Sequence, residues 1–174
     1  MRRIRYSVAM SLDGFIADET GGYDWIPAEP SVDFGAYLAK IDTLLMGRLT
    51  YETAVSTDEG AALLGARRVV VVSTTMDPEN HPEVEVVSAS VESAVTALKA
   101  NEGRDIWLFG GGRLFRSLLE AGLVDRVEFA IMPILLGAGI PVLPGLDGIV
   151  KLELHSSELF PSGMALMKYD VVRA

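Results

Sequence analysis

Four apolar residues, Ile106-Trp107-Leu108-Phe109, run directly into Gly110-Gly111-Gly112, and Leu114, Phe115, Leu118 and Leu119 then follow at helical spacing. A short run that is apolar at every position reads as a strand covered on both faces, as in a parallel sheet. The glycines permit a tight turn and leave room for a ligand beside the backbone. The segment beyond them opens a helix, whose start offers free N–H groups and a partial positive charge. Strand, glycines and helix start together form a socket for phosphate.

Arg113 and Arg116 fall in the first turns of that helix. Exposed cations there oppose the helix dipole by about 0.3–1 kcal/mol each, a conflict that a bound anion would remove. A plain tight turn with two solvated arginines fits the same residues. The spacing is not Gly-x-Gly-x-x-Gly, so the dinucleotide fingerprint of doubly wound folds is not met.

The rest of the chain repeats this logic. Ile4 to Met10 reads as a first strand, closed by Ser11-Leu12-Asp13-Gly14 and continued by Phe15-Ile16-Ala17. Residues 18–30 form a loop by their Gly21-Gly22, Pro27 and Pro30, with Trp25 and Ile26 pinning it to the body. Ser31 is the expected N-cap of a helix carrying Phe34, Tyr37, Leu38 and Ile41 on one face. Thr43 to Met46 is a buried strand that runs into Gly47-Arg48-Leu49-Thr50-Tyr51-Glu52 and a helix. Residues 54–66 are partly helical. Val69 to Val72, β-branched throughout, is a strand ending in Ser73-Thr74-Thr75. Residues 77–83 form a loop, Val84 to Val87 a short strand, and Ser90 caps a helix with Val91, Ala94, Val95 and Leu98 on its face. Gly122 ends the helix after the triglycine. Arg126 to Met132 is a strand, Pro133 to Pro141 a glycine-rich apolar loop, and the alternating segments 152–159 and 164–172 flank a Pro161-Ser162-Gly163 turn as an antiparallel hairpin. The pattern predicts one α/β domain over 1–174, with a mostly parallel sheet and an antiparallel C-terminal edge.

Composition narrows the chemistry. A net charge of −9 argues against nucleic acid or an anionic membrane as partner. The chain has no cysteine, which removes disulfides, thiolate metal sites and a cysteine nucleophile. The basic start Met1-Arg2-Arg3-Ile4-Arg5 precedes no long apolar run, so neither a signal peptide nor a membrane span is expected and a cytoplasmic location is the simplest reading. His81 lies in an acidic proline loop and reads as an exposed residue, His155 sits in the terminal hairpin with no visible partner and reads as structural, and no spacing suggests a metal site. Nucleophile-elbow and nucleoside-triphosphate-loop motifs are missing.

In a parallel sheet, Gly47/Arg48/Thr50, Ser73/Thr74 and Gly110 to Gly112 all lie at the carboxyl edge, where ligands bind in open α/β sheets. Two helix starts and a hydroxyl cluster suit a ligand with several phosphates. Arg48, Ser73 and Thr74 together suit a separate monoester phosphate such as NADPH carries. Hydride transfer then fits best, because the cofactor supplies the reactivity and the protein supplies orientation.

Ser11-Leu12-Asp13-Gly14-Phe15-Ile16-Ala17, Met46-Gly47-Arg48-Leu49-Thr50-Tyr51-Glu52, Gly110-Gly111-Gly112-Arg113-Leu114-Phe115, Gly122-Leu123-Val124-Asp125 and the Pro133 to Pro141 loop occur in an order that resembles the dihydrofolate reductase superfamily. The nearer branch resembles the C-terminal reductase domain of bifunctional riboflavin-biosynthesis proteins. The resemblance implies a three-layer fold and an NADPH-dependent reductase acting on a pterin or a ribosylaminopyrimidine-like ring. It places Ala9 and the Leu12 to Ala17 loop beside the nicotinamide, Gly47, Arg48, Leu49 and Thr50 on the phosphates, and Ser73 and Thr74 at the adenosine-ribose phosphate. Gly110, Gly111, Gly112, Arg113 and Leu114 then cradle the pyrophosphate. On the substrate side it implies Trp25, Phe115 and Arg67, the last of which also reads as a strand-flanking residue. Three acids, Asp13, Glu29 and Asp33, are candidates for proton delivery, although Asp13 equally suits an Asp-Gly turn. Other readings are a true dihydrofolate reductase and a nucleotide-binding protein without turnover. The apolar loop 134–143 and the terminal hairpin make a homodimer the expected assembly.

Overall fold

A computed structural model of the chain describes residues 1–173. Its strands are β1 (Ile4–Ser11), β2 (Phe15–Ala17), β3 (Ile41–Gly47), β4 (Arg68–Val72), β5 (Glu85–Val87), β6 (Asp105–Gly110), β7 (Arg126–Met132), β8 (Ile140–Pro141), β9 (Leu152–Leu159) and β10 (Ala165–Val171). Its helices are α1 (Phe34–Leu38), α2 (Arg48–Val55), α3 (Asp58–Gly65), α4 (Val91–Ala100) and α5 (Gly112–Glu120). Eight strands form one sheet in the order β5-β4-β3-β6-β1-β7-β10-β9. The first six run parallel. β10 turns back against β7 and β9 against β10, which supplies the antiparallel hairpin. β2 and β8 pair separately.

The period of two sorts the core strands into two layers. Leu45, Val70, Ile106 and Leu108 face α4 and α5, where Val95, Leu98, Phe115, Leu118 and Leu119 close one core. Leu44, Met46, Val69, Val71 and Trp107 face the other side and meet Tyr37, Tyr51, Ala54 and Leu64. Because both faces of β3, β4 and β6 are covered, those strands can be apolar at nearly every position. A third cluster of Met132, Phe160 and Met164 holds Ala9, Trp25, Ile26 and Val32, so the 18–30 loop is pinned through Trp25 and Ile26 as expected.

Several local expectations shift. The helix near residue 31 is capped by Asp33, whose carboxylate accepts from the Ala36 N–H at 2.8 Å, and not by Ser31. That helix has only five residues, and Ile41 belongs to the next strand. Ser90 occupies the N-cap position of α4 in a left-handed conformation, but its side chain makes no capping bond. Gly122 ends α5 as expected: at φ +66° it lets its own N–H reach Leu119 O and the Leu123 N–H reach Leu118 O. Every residue of β9 is exposed, despite its alternating pattern, because an edge strand beyond the last helix has nothing to cover it. Among the described residues no helix is long and apolar enough to cross a membrane.

Candidate functional site

The three glycine- and hydroxyl-bearing strand ends are next to one another. Gly47 pairs with Val72, one residue before Ser73, and Met46 pairs with Gly110. The carboxyl ends of β4, β3 and β6 therefore form a continuous edge. Thr50, in the first turn of α2, hangs over the triglycine bend: a Cβ on Gly110 would lie 3.3 Å from its Oγ1, and one on Gly111 3.5 Å. Gly110 has φ +151°, a conformation other residues rarely adopt. The Gly110–Gly111 peptide bond is cis.

Two helices start on this edge, and they share a property. Gly47 caps α2 and Gly111 caps α5, so neither helix has a side-chain cap and neither has an acidic residue in its first turn. Their orphan N–H groups and positive dipole ends are left for a ligand. The other two helices of eight or more residues are provided for locally. α3 has the Thr57 hydroxyl as cap with Asp58 and Glu59 in its first turn, and α4 has Glu92. The two uncapped, acid-free starts are thus the two that lie side by side.

The cationic and hydroxyl groups differ in their freedom. Arg48 is partly exposed and pairs with Glu52 one turn along α2 at 2.7 Å, leaving further guanidinium donors at the edge. Leu49 is 69% exposed beside it. Ser73 is buried, and its Oγ accepts from the N–H groups of Thr75 (3.2 Å) and Met76 (3.0 Å), so it shapes the turn that presents Thr74 and Thr75 to solvent. Arg113 is exposed, whereas Leu114 packs on the core. Arg116 meets Glu120 at 2.8 Å and Asp147 at 3.2 Å. Its conflict with the helix dipole is relieved by these two carboxylates.

On the opposite sheet face from α5, Ala9 and Trp25 fall in one cluster, near the carboxyl end of β1. Among the described residues the Trp25 Nε1 has no hydrogen-bond partner although it is buried. Phe115 is not in this region. It is 2% exposed and stacks on Tyr6 with ring centroids 3.7 Å apart, because it lies on the inward face of an amphipathic helix. The residue expected on the substrate side is thus packed in the core against Tyr6. Arg67 lies just before the amino end of β4, about 20 Å of extended chain away from Ser73. It lines a separate cleft of about 540 Å³ between α1 and α3, together with Arg68, Arg104 and Asp42.

All three candidate acids are already engaged. Asp13 accepts from Ser11 Oγ (2.6 Å), from the Gly137 N–H (2.7 Å) and from the Leu136 N–H (3.1 Å). The Ser11 hydroxyl and the Gly137 amide together hold its carboxyl below the usual carboxylate range. Glu29 is lowered by Ser162 and by Ser31, whose N–H it accepts at 3.1 Å. Asp33 spends an oxygen on the cap of α1. Asp13 and Glu29 are not arranged as proton reservoirs near neutrality, since each of their hydrogen bonds favours the ionised form. Sequence reading missed the partners Ser11, Leu136, Gly137 and Ser162. Ser11 is two residues from Asp13, but the other partners are more than 100 residues from the acids they hold. No group of histidines, cysteines and acids among the described residues is placed to hold a metal.

A parallel six-stranded array with an antiparallel hairpin, helices on both faces and a glycine-lined carboxyl edge defines the dihydrofolate reductase-like class. The chain belongs to the RibD C-terminal domain family, whose pattern matches residues 54–166. It is similar to the uncharacterized protein YyaP of Bacillus subtilis, 30% identical, with the match covering 97% of this chain and 94% of that protein. The fold is similar to a crystal structure of a Shewanella sp. PV-4 protein provisionally assigned to riboflavin biosynthesis, with TM-score 0.84, 29% identity, and coverage of 99% of this chain and 100% of that one. Dihydrofolate reductase from Enterococcus faecalis, solved in complex with NADP(H) and RAB-propyl, shares the fold at TM-score 0.70 and 18% identity over 98% and 97% of the two chains.

Proposed function

We propose that the protein is an NADPH-dependent reductase of a small heterocyclic substrate, a pterin or a ribosylaminopyrimidine-like ring. The observation that carries this reading is the pair of adjacent helix starts, α2 and α5, left uncapped and free of acids on one sheet edge. Such a pair suits an elongated, multiply charged anion. The dihydrofolate reductase that shares this fold was solved with NADP(H), and family membership in the RibD C-terminal domains points to the same cofactor class.

In this reading the amides of Gly111 and Gly112, with Thr50, hold the pyrophosphate. Arg48, Thr74 and Thr75 face the adenosine-ribose phosphate, with Ser73 shaping their turn. Ala9, at the end of β1, borders the nicotinamide, and Trp25 closes the substrate side. NADPH supplies the hydride when bound; the chain supplies alignment and excludes water through the Trp25 cluster. With Asp13, Glu29 and Asp33 all engaged, the matching proton comes from solvent. Folate reduction through a dedicated carboxylic acid is correspondingly disfavoured.

The engaged acids also favour one second reading, a pyridine-nucleotide-binding protein without turnover. Fluorescence titration with NADPH and NADH, followed by an NADPH-oxidation screen over pterins and aminopyrimidines, separates the two. Tight NADPH binding with no oxidation supports the second reading, and no preference for NADPH removes the Arg48 assignment. The proposal includes a homodimer formed through β9. Its backbone edge is free, and Leu152, Leu154 and Leu159 are 42%, 54% and 81% exposed. Light scattering across a concentration series measures it.

A further inference from the structure

Asp13 has three convergent donors, and they tie together pieces of chain that are far apart in sequence. Its partner Ser11 is fully buried, and the Ser11 hydroxyl also accepts from the Phe15 N–H at 2.9 Å. This fixes the β1–β2 turn. Across from it, the N–H groups of Leu136 and Gly137 point at the carboxylate. The same two segments are stitched by Leu12 N–H to Ile134 O (2.8 Å) and Val142 N–H to Gly14 O (2.9 Å). The β2–β8 pairing and the approach of Gly139 to the Ala17 carbonyl leave no space for a side chain at residue 139.

The 133–144 segment then continues to the other end of the candidate cradle. A Cβ on Gly112 would lie 2.8 Å from Val142 O and 2.9 Å from Pro141 O, so this backbone lies directly on the start of α5. The Tyr6 hydroxyl donates to Val142 O at 3.4 Å, and Val142 and Leu143 pack on the core beneath α5. One strap therefore touches both the turn that follows β1 and the triglycine bend that follows β6. At the turn, the charged group holding it is Asp13.

We propose that Asp13 is a positioning residue whose carboxylate latches the 133–144 strap to the β1–β2 turn, and that this latch keeps the nicotinamide end and the pyrophosphate end of the cofactor cradle in one geometry. The second half of the proposal rests on the NADPH reading above. The first half does not. By linkage, a strap that favours cofactor binding must itself be steadied when the cofactor binds. Asp13 touches no reacting atom in this scheme. An asparagine keeps one acceptor oxygen but turns an NH2 towards the backbone donors, so it restores the latch only in part.

Hydrogen exchange of the Leu136 and Gly137 amides is measured with and without saturating NADPH. The comparison covers the wild-type chain, Asp13→Ala and Asp13→Asn, with Thr57→Ala as a control that removes a helix cap elsewhere. The expected result is at least tenfold faster exchange at both amides in Asp13→Ala, a smaller rise in Asp13→Asn and none in Thr57→Ala. NADPH slows that exchange in the wild type, and its Kd rises about tenfold in Asp13→Ala with the preference over NADH unchanged. Unaltered exchange in Asp13→Ala overturns the latch. Faster exchange with unaltered NADPH affinity overturns its coupling to the cradle. If the wild type binds no NADPH, the functional reading and the coupling fall together, and the exchange rates of the ligand-free chains decide the latch by themselves.

Discussion

Arg5 on β1 and Glu128 on β7 form a buried ion pair across neighbouring parallel strands, with Arg5 Nε and NH2 at 2.9 and 2.6 Å from the same carboxylate oxygen. Both residues are at most 5% exposed. The Arg5 guanidinium also lies 4.7 Å from the centroid of the Tyr37 ring, which ties α1 to the sheet. A carboxylate this deep is tolerated only with its partner in place, because breaking such a pair leaves an uncompensated charge at a cost of about 3–5 kcal/mol. Arg5→Ala is expected to lower stability by that order in urea unfolding. The double change Arg5→Met with Glu128→Leu is expected to lose much less, since it leaves no buried charge.

Arg48→Ala separates cofactor recognition from stability. The Arg48–Glu52 pair is exposed, so its removal costs at most about 0.5 kcal/mol of folding free energy. A charge-assisted contact to a phosphate is worth about 1.5–3 kcal/mol, which predicts a roughly 10- to 100-fold rise in the Kd for NADPH. NADH binding, read by the same fluorescence titration, is expected to change little.

Two glycines on the edge are predicted to respond in opposite ways to alanine. At Gly47 a Cβ meets nothing within 4 Å and the backbone is ordinary extended chain, so Gly47→Ala folds with a loss of at most about 1 kcal/mol while crowding any phosphate there. At Gly112 the same methyl meets two backbone oxygens of the strap, which cannot rotate away. Gly112→Ala is therefore expected to lower Tm in thermal unfolding far more than Gly47→Ala does. Nucleotide titration of Gly47→Ala is expected to show weakened NADPH binding in a well-folded protein.

The hydrogen-bonded acids set the acid limit of the fold. Asp13 and Glu29 are both held below their ordinary values of 3.8 and 4.5, so the folded state binds fewer protons than the unfolded chain in that range. Their contribution is fully present above those values and is lost as pH falls through the lower folded pKa. Unfolding monitored from pH 7 down to 2 is expected to show stability declining below about pH 4.5, where the unfolded carboxyls begin to take up protons. The decline is smaller in Asp13→Ala. If turnover is found, its rate is expected to show no inflection from Asp13 or Glu29 between about pH 5 and 9, since both are held below their ordinary values.

The layout of the edge was legible in the chain. Apolar runs ending in Gly47, Ser73 and Gly110 mark strands buried on both faces. Such strands occur in parallel sheets, and parallel strands share a carboxyl edge. The hairpin was legible from its alternation and its Pro161-Ser162-Gly163 turn. The role of each side chain assigned to the site was not. Phe115 has the same spacing whether it meets a ligand or Tyr6, and only the packing of α5 on β1 and β6 puts it inside.

The sequence by itself determined the class of fold and the neighbourhood of the anion socket, because local periodicity and glycine placement are properties of short segments. Tertiary structure alone decided what the charged groups do. Asp13 receives its backbone donors from 123 and 124 residues away, Glu29 is held by the tip of the terminal hairpin, and Arg116 is neutralised by Asp147 after a 31-residue excursion. Hydrogen bonds and ion pairs act over a few ångströms of space and are indifferent to separation along the chain. A carboxylate's availability therefore depends on which distant segment the fold returns to it.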